Sequence, residues 1–223
     1  MKPNHCRSFV VASAFSLLFG FAVDMRGQIA WPDAGGAAEA MSRANNYWNA
    51  NNSLGDSGWA RSTYNTGNMR TARVLVNRSY VSNGFAWAAA NSWQIGPEGP
   101  GSADAFCCGQ TYIDLYRLNP QPGDLTDITN RVNAWVASSA TNQLTWIDAF
   151  YMAGPTFARM GRLTGDTNYY QKLWQMYSFM KDGIHLYDTN AALWYRDTNY
   201  IYPAAMTASG KKVFWSRGNG WVP

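Results

Sequence analysis

The feature that most restricts what this chain can fold into is a period. Segments with the apolar spacing of helices begin near residues 62, 104 and 147, which lie 42 and 43 residues apart. Each is followed by a second such segment carrying Trp87, Trp135 or Trp174. A repeat of this length means stacked helical hairpins, because one pair cannot bury its apolar face alone and must pack on the next. The predicted helices are 35–50, 62–76, 79–93, 104–118, 125–138, 147–162 and 168–181. Alternating strand pattern is nearly absent before residue 186, so the fold class is all-α. Ser102, Thr126 and Thr145 stand at expected N-caps, and Gly161, Gly165 and Gly183 at expected helix ends or separators.

The two helices of a hairpin differ in kind. The first is apolar nearly all round, as in Trp146 to Pro155, and the second is mixed, as in Tyr170 to Met176. Helices apolar on every side are surrounded by other helices. An inner ring of buried helices within an outer ring of amphipathic ones is the closed solution, and an α-solenoid is the open one. Gly109 and Gly154 on the inner helices are expected to permit close backbone approach, and Pro155 to bend its helix or remove one hydrogen bond. Closing a ring of six such hairpins would take about 258 residues, against the 223 present. The expectation is an incomplete, N-terminal portion of a toroid whose last residues, to Pro223, open another helix.

Composition adds one functional hint. Charged residues make up 14% of the chain, while 11 Trp, 13 Tyr and 10 Phe exceed what a core of this size needs. Aromatic faces bind sugars and other flat surfaces, or else helix packing absorbs them. With 47% hydrophobic residues the chain is too apolar for disorder. Lys2, His5 and Arg7 precede a largely apolar 15-residue run from Phe9 to Val23 and then a polar stretch, which is the outline of a secretory signal over residues 1–27. The run is shorter than the roughly 20 residues of a membrane span, so no stable membrane anchor is expected, the alternative being an uncleaved N-terminal anchor. The remaining domain, 28–223, carries 15 basic and 13 acidic residues, a charge of +2 rather than +4. No basic run beyond Lys211-Lys212 remains, which argues against nucleic acid as a partner. Cys107 and Cys108 are sequence neighbours unsuited to a disulfide and read as core packing; with His185 they form no recognisable metal site, and no cofactor is implied. A secreted or periplasmic bacterial protein fits this usage.

Two carboxylates stand out. Asp104 and Asp148 are 44 residues apart, one repeat, each in the first turn of an inner helix. In a ring of hairpins they would line the same mouth. The plain reading is that each serves its helix terminus, and Thr145 to Asp148 has the form of a capping box. Against that, Trp146, Ile147, Phe150, Tyr151 and Met152 leave Asp148 little solvent, and desolvation raises a carboxyl toward the range of a general acid. The closing stretch has extended segments at Leu186–Asp188 and Leu193–Asp197, then Val213 to Trp221, where Gly218 and Gly220 suggest a tight turn against something. Arg217 between Trp215 and Trp221 suits a carboxylated sugar, the indole on the ring and the guanidinium on the carboxylate; the alternative is an arginine stacked on core aromatics. Arg196 is either a second anion contact or simply the partner of Asp197, the plainer reading.

Three stretches together resemble the unsaturated uronyl hydrolases, glycoside hydrolase family 105 with its relative family 88. They are Ala103 to Tyr116, Trp146 to Pro155, and Phe214-Trp215-Ser216-Arg217-Gly218-Asn219-Gly220-Trp221. The resemblance implies an (α/α)6 barrel and an enzyme acting on the unsaturated uronyl end that polysaccharide lyases leave on oligosaccharides such as rhamnogalacturonan fragments from pectin. It further implies that Asp148 protonates C4 of the C4=C5 bond and helps water add at C5, that Asp104 assists, and that Trp215, Arg217 and Trp221 shape the sugar and carboxylate site. One proton-shuttling carboxyl suffices for that chemistry. The sequence departs from the family pattern in having Ala105 where a second acid is frequent and Arg196 in a segment where some members place a histidine. Two other functions fit the period alone: a non-catalytic hairpin scaffold binding glycan or protein, and a polysaccharide lyase or epimerase. Scarce histidine argues against the latter pair.

Overall fold

The computed structural model describes residues 33–222, so the expected signal at 1–27 lies outside the described residues. The chain divides into two compact units, one ending at Asn52 and the other beginning at Ser53. The first contains helix α1 (Ala34–Asn51), started by Asp33, whose carboxylate accepts the Gly36 N–H at 2.7 Å. Among the described residues no helix is long and apolar enough to cross a membrane.

The second unit carries the repeat. Its helices are α2 (Trp59–Leu75), α3 (Arg78–Ala90), α4 (Cys108–Leu118), α5 (Thr126–Ala137), α6 (Ile147–Thr164), α7 (Asn168–Ser178) and the short α8 (Ser216–Trp221). Helices α2, α4, α6 and α8 succeed one another as an inner row, with α3 and α7 packed outside their partners and α5 against α7. Burial follows that placement. Every residue of α4 from Cys108 to Leu115 is buried, as a surrounded helix requires, whereas α5 buries only the stripe Ile128, Val132, Trp135. The unit is thus an arc of the inner and outer rings expected from the period.

α2 departs from the apolar expectation. Its buried residues are Ser62, Asn65, Thr66, Asn68 and Thr71, with Met69 the one apolar member. They are tolerated because polar groups on the inner row bond one another: Ser62 Oγ donates to the Ser57 carbonyl at 2.8 Å, and the Thr66 and Thr111 hydroxyls meet at 3.2 Å. Asp114 of α4, only 4% exposed, forms ion pairs with Arg73 of α2 and Arg159 of α6. Pro155 does remove a hydrogen bond, and α6 runs on through it. The freed Tyr151 carbonyl accepts instead from Gln110 Nε2 of α4 at 3.1 Å, so the defect in one inner helix becomes a link to the next.

The outer tryptophans show a repeat inside the repeat. Trp87 and Trp135 each occupy the tenth position of their helix, and each indole donates to a carbonyl three residues ahead of the paired inner element: Asp56 at 2.9 Å and Pro100 at 3.0 Å. The third hairpin breaks the pattern. Trp174 is 67% exposed, and buried Lys172 bonds the loop carbonyls of Ser138 (2.9 Å) and Ala140 instead.

Several local expectations are corrected. Only Ser102 caps as predicted, accepting from the Asp104 N–H; α5 and α6 start after Leu125 and Trp146, with no side-chain cap from Thr126 or Thr145. The helix expected from 104 is divided, a 3-10 turn over Ala103–Phe106 leading into α4. α3 stops at Ala90 because Ser92 and Trp93 take φ of 51° and 56°. Gly165 ends α6 in the left-handed conformation, but Gly161 lies within α6 under the Tyr170 ring. Gly109 does mark a close approach, since a Cβ there would lie 2.5 Å from Thr156 Cγ2, whereas at Gly154 the nearest atom would be 3.4 Å away. The extended segments pair as a hairpin, β1 (Tyr187–Asp188) with β2 (Leu193–Trp194).

Three stability measurements check this packing. Asp114→Ala leaves two guanidiniums without their shared carboxylate and is expected to lower the unfolding free energy by about 3 kcal/mol in urea titration. Gly109→Ala should cost about 1–3 kcal/mol by overpacking, while Gly154→Ala, with room for its methyl, should gain about 0.5 kcal/mol from helix propensity.

Candidate active site

The start of α6 is tied down by tertiary bonds. Its first N–H, Ile147, donates to the Arg196 carbonyl at 2.8 Å, and Trp146 bridges to Asp197 in β fashion. α8 is fastened to the same place: the Asn219 amide accepts from the Trp194 N–H (2.8 Å) and donates to the Trp194 and Trp215 carbonyls (2.9 and 3.1 Å). Gly218 then sits against the α6 first turn, where a Cβ would lie 2.6 Å from Ile147 Cγ2 and 3.4 Å from Asp148 Oδ1. A glycine is required by that approach. Gly220 has open space about it, and both glycines lie within a helix rather than the expected turn.

Asp148 is held in this corner, second in α6, and takes no capping role. Its Oδ1 is buried without a hydrogen-bond partner among the described residues. Burial pushes its carboxyl above the ordinary range, opposed by Arg217 and then Arg196. Neither guanidinium closes an ion pair with it among the described residues. Asp104, in the turn before α4, is pushed up by burial first, then by the charges of Glu98 and Asp148. The two aspartates one repeat apart therefore share an electrostatic environment. Ala105 is buried core, and the second acid near Asp104 is Glu98, which also accepts the Trp59 N–H at the start of α2 at 2.9 Å.

The aromatic and cationic candidates divide over two cavities. Trp215 and Arg217 line one of about 440 Å³ together with Arg196, Tyr200 and Phe214. The Arg217 guanidinium lies over the Trp215 ring at 4.3 Å, so that face of the indole supports the arginine. Trp221 lines a second cavity of about 560 Å³ with Arg70, Gln110, Phe150 and Tyr151. It packs on the Tyr151 ring at 4.2 Å, with its indole N–H buried and without a partner among the described residues.

The segment before α8 is anchored by Asp188. Its carboxylate accepts from the Tyr195 hydroxyl at 2.7 Å and from the Lys212 ammonium, which hold it well below the usual carboxylate range, and Tyr195 stacks on Phe214 at 4.9 Å. Cys107 and Cys108 are buried free thiols, Cys107 pushed up to about 12 by burial. They are core residues, as expected. Sequence reasoning passed over Asn219 and Glu98 and preferred the plainer reading of Arg196. Asn219 was signalled by its place in the Trp-rich closing stretch; the other two are brought in by the fold alone.

Comparison with known proteins bears on this arrangement. The profile of Glycosyl Hydrolase Family 88 matches residues 35–223. An "Unsaturated 3S-rhamnoglycuronyl hydrolase" of Formosa agariphila is 26% identical over 76% of this chain and 49% of its own length. One of the same name from an Alteromonas species is 35% identical over 67% of this chain and 35% of its own. The chain thus spans half or less of the curated relatives it matches. A solved structure titled "Polysaccharide Lyase" superposes with a TM-score of 0.79 at 28% identity, covering 86% of this chain and 58% of that one. A family 88 glycosyl hydrolase from Bacteroides vulgatus does so with a TM-score of 0.76 at 30% identity, covering 82% and 58%. With its profile matched along nearly all of the described sequence and its helical arc shared with a solved member, the chain belongs to glycosyl hydrolase family 88.

Proposed function

We propose that the protein is a glycoside hydrolase that releases an unsaturated uronic acid residue from oligosaccharides by hydrating its C4=C5 double bond. The observation that carries this reading is the Asp148 carboxyl: raised by burial, its Oδ1 without a partner, and flanked by two arginines that do not neutralise it. A carboxyl whose neutral form is favoured by burial, beside cationic groups, is suited to donate to an anionic, electron-rich substrate. Asp148 gives its proton to C4, a water oxygen bonds C5, and the proton shed by that water returns to Asp148. The hemiketal formed at C5 opens and the neighbouring sugar leaves. Arg217, braced on Trp215, takes the uronate carboxylate, and Asp104 assists from the adjacent inner element. The names of the curated relatives, unsaturated 3S-rhamnoglycuronyl hydrolases, support rhamnose as the neighbouring sugar. Residues 1–27 support export to the periplasm or beyond.

A solved relative titled a lyase makes the direction of the chemistry worth separating. A lyase removes the C5 proton and needs a base, whereas hydration needs an acid that gives a proton to C4. The ultraviolet absorbance of the conjugated double bond decides between them: it falls during hydration and rises during elimination. With lyase-digested polysaccharide and the full-length protein, absorbance is expected to fall, and Asp148→Asn to reduce kcat by a factor on the order of 10²–10⁴. A rise, or equal rates in both proteins, overturns the assignment.

The pH dependence follows from the same groups. A general acid must be protonated, so kcat/KM is lost as pH rises through the Asp148 pKa, and burial places that limb above the ordinary carboxylate range. Arg217 lowers this pKa, so Arg217→Gln raises it, and the basic limb is expected to move to higher pH even as overall activity falls. A limb that stays or moves down refutes the pairing.

A further inference from the structure

We propose that Asp188 is a positioning residue for the hydration reaction: without reaching the substrate, its carboxylate holds in place the two arginines that face Asp148. This rests on the function proposed above. Arg196, Tyr200, Phe214 and Trp215, which line the cavity of about 440 Å³, all come from the stretch between β2 and α8. Among the described residues that stretch forms no helix or strand beyond the 3-10 turn Thr198–Tyr200. A backbone with so few ladder bonds takes its course from other ties, and Asp188 fastens both of its ends.

The two oxygens of that carboxylate have separate partners. Oδ1 accepts the Asn190 and Ala191 N–H groups at 3.0 and 2.9 Å and so shapes the turn of the β1–β2 hairpin. Oδ2 accepts the Tyr195 hydroxyl at 2.7 Å and the Lys212 ammonium. Tyr195 and Lys212 lie 17 residues apart, one directly before Arg196 and the other three residues before Trp215, so a single oxygen closes the stretch into a loop. The Tyr195 ring stacked on Phe214 closes it a second time. Arg196 and Arg217 both rest on Trp215, 5.8 and 4.3 Å from its ring, and therefore move with this loop. The tie gains strength because the acid is withdrawn from water, its side chain only 7% exposed. Lys212 and Tyr195 keep Asp188 ionised wherever Asp148 titrates, and Asp188 itself lines neither cavity.

Asp188→Asn keeps the acceptor for the turn and sets an N–H donor against Lys212, so it opens the loop selectively. Asp148 is faced by Arg217 from α8, by Arg196 from the loop and by Asp104 from the turn before α4. Freeing the arginines weakens the two influences that lower its pKa and leaves Asp104 in place. In the full-length protein, kcat/KM on an unsaturated disaccharide is expected to fall about tenfold, with the basic limb moved to higher pH. Lys212→Met should do the same from the other side of the pair without touching the turn. The double variant should be no worse than either single one, and Asp188→Glu should recover part of the rate. Carbon-13 NMR of labelled aspartate, assigned by comparison with Asp148→Asn, reads the Asp148 titration without turnover. A titration and limb that stay or move down in Lys212→Met, or in a folded Asp188→Asn, overturn the proposal, whatever the loss of rate. If Asp188→Asn does not fold, Lys212→Met decides alone. An Asp148 titration that moves up in the variants while wild type hydrates no disaccharide sustains the tie from Asp188 to the arginines and sinks the hydrolase reading instead.

Discussion

One buried carboxylate holds the inner helices in register. Asp114 of α4 meets Arg73 of α2 and Arg159 of α6, so a single side chain fixes three neighbours against sliding. Such an arrangement is stabilising only with both charges close and their remaining groups satisfied, which Arg159 achieves by also bonding the Gln110 carbonyl at 3.0 Å. The Gln110 to Tyr151 bond across Pro155 links α4 to α6, and the Thr156 hydroxyl on the Phe106 carbonyl, at 2.8 Å, links α6 to the 3-10 turn before α4. Gly109 lets the two backbones come close enough for them. The relation of Asp104 to Asp148 at the other end of these elements depends on that spacing.

At the active end the decisive balance is between burial and charge. Burying a carboxyl favours its neutral form, and nearby guanidiniums favour its ionised one. For Asp148 burial prevails, with Arg217 and Arg196 limiting the shift. The fold obtains this by closing α8 over the α6 first turn at Gly218, which removes water from one carboxylate oxygen while offering it no donor. Asn219 supplies the force for that closure by binding the backbone of Trp194 as a neighbouring strand would. Each of Trp215, Arg217, Gly218, Asn219 and Trp221 thus has its own physical surroundings, and Gly218 and Asn219 serve the closure itself.

The hairpin period, the inner and outer helices and the two aspartates were legible because they are local properties. Helical spacing of apolar residues selects a buried face whatever the partner, and an acid placed one repeat from another must come to the same end of the stack. The tryptophans show where that reasoning fails. Trp87, Trp135 and Trp174 look alike in sequence, yet the first two donate to loop carbonyls and the third faces solvent. Trp174 sits at the seventh position of its helix, not the tenth, and a shift of three residues turned it off the buried stripe.

What the sequence alone determined, then, is the all-α repeat, its punctuation at Ser102 and Gly165, and a carboxylate pair at one mouth. The tertiary structure decided which groups those carboxylates meet. Arg196, 48 residues beyond Asp148, arrives beside it because its carbonyl caps α6, and Glu98 stands by Asp104 because the loop before α4 folds back on α2. Trp221 and Arg217, one helical turn apart in α8, line separate cavities. Such meetings depend on loop closure and packing between distant segments, and no local pattern encodes them.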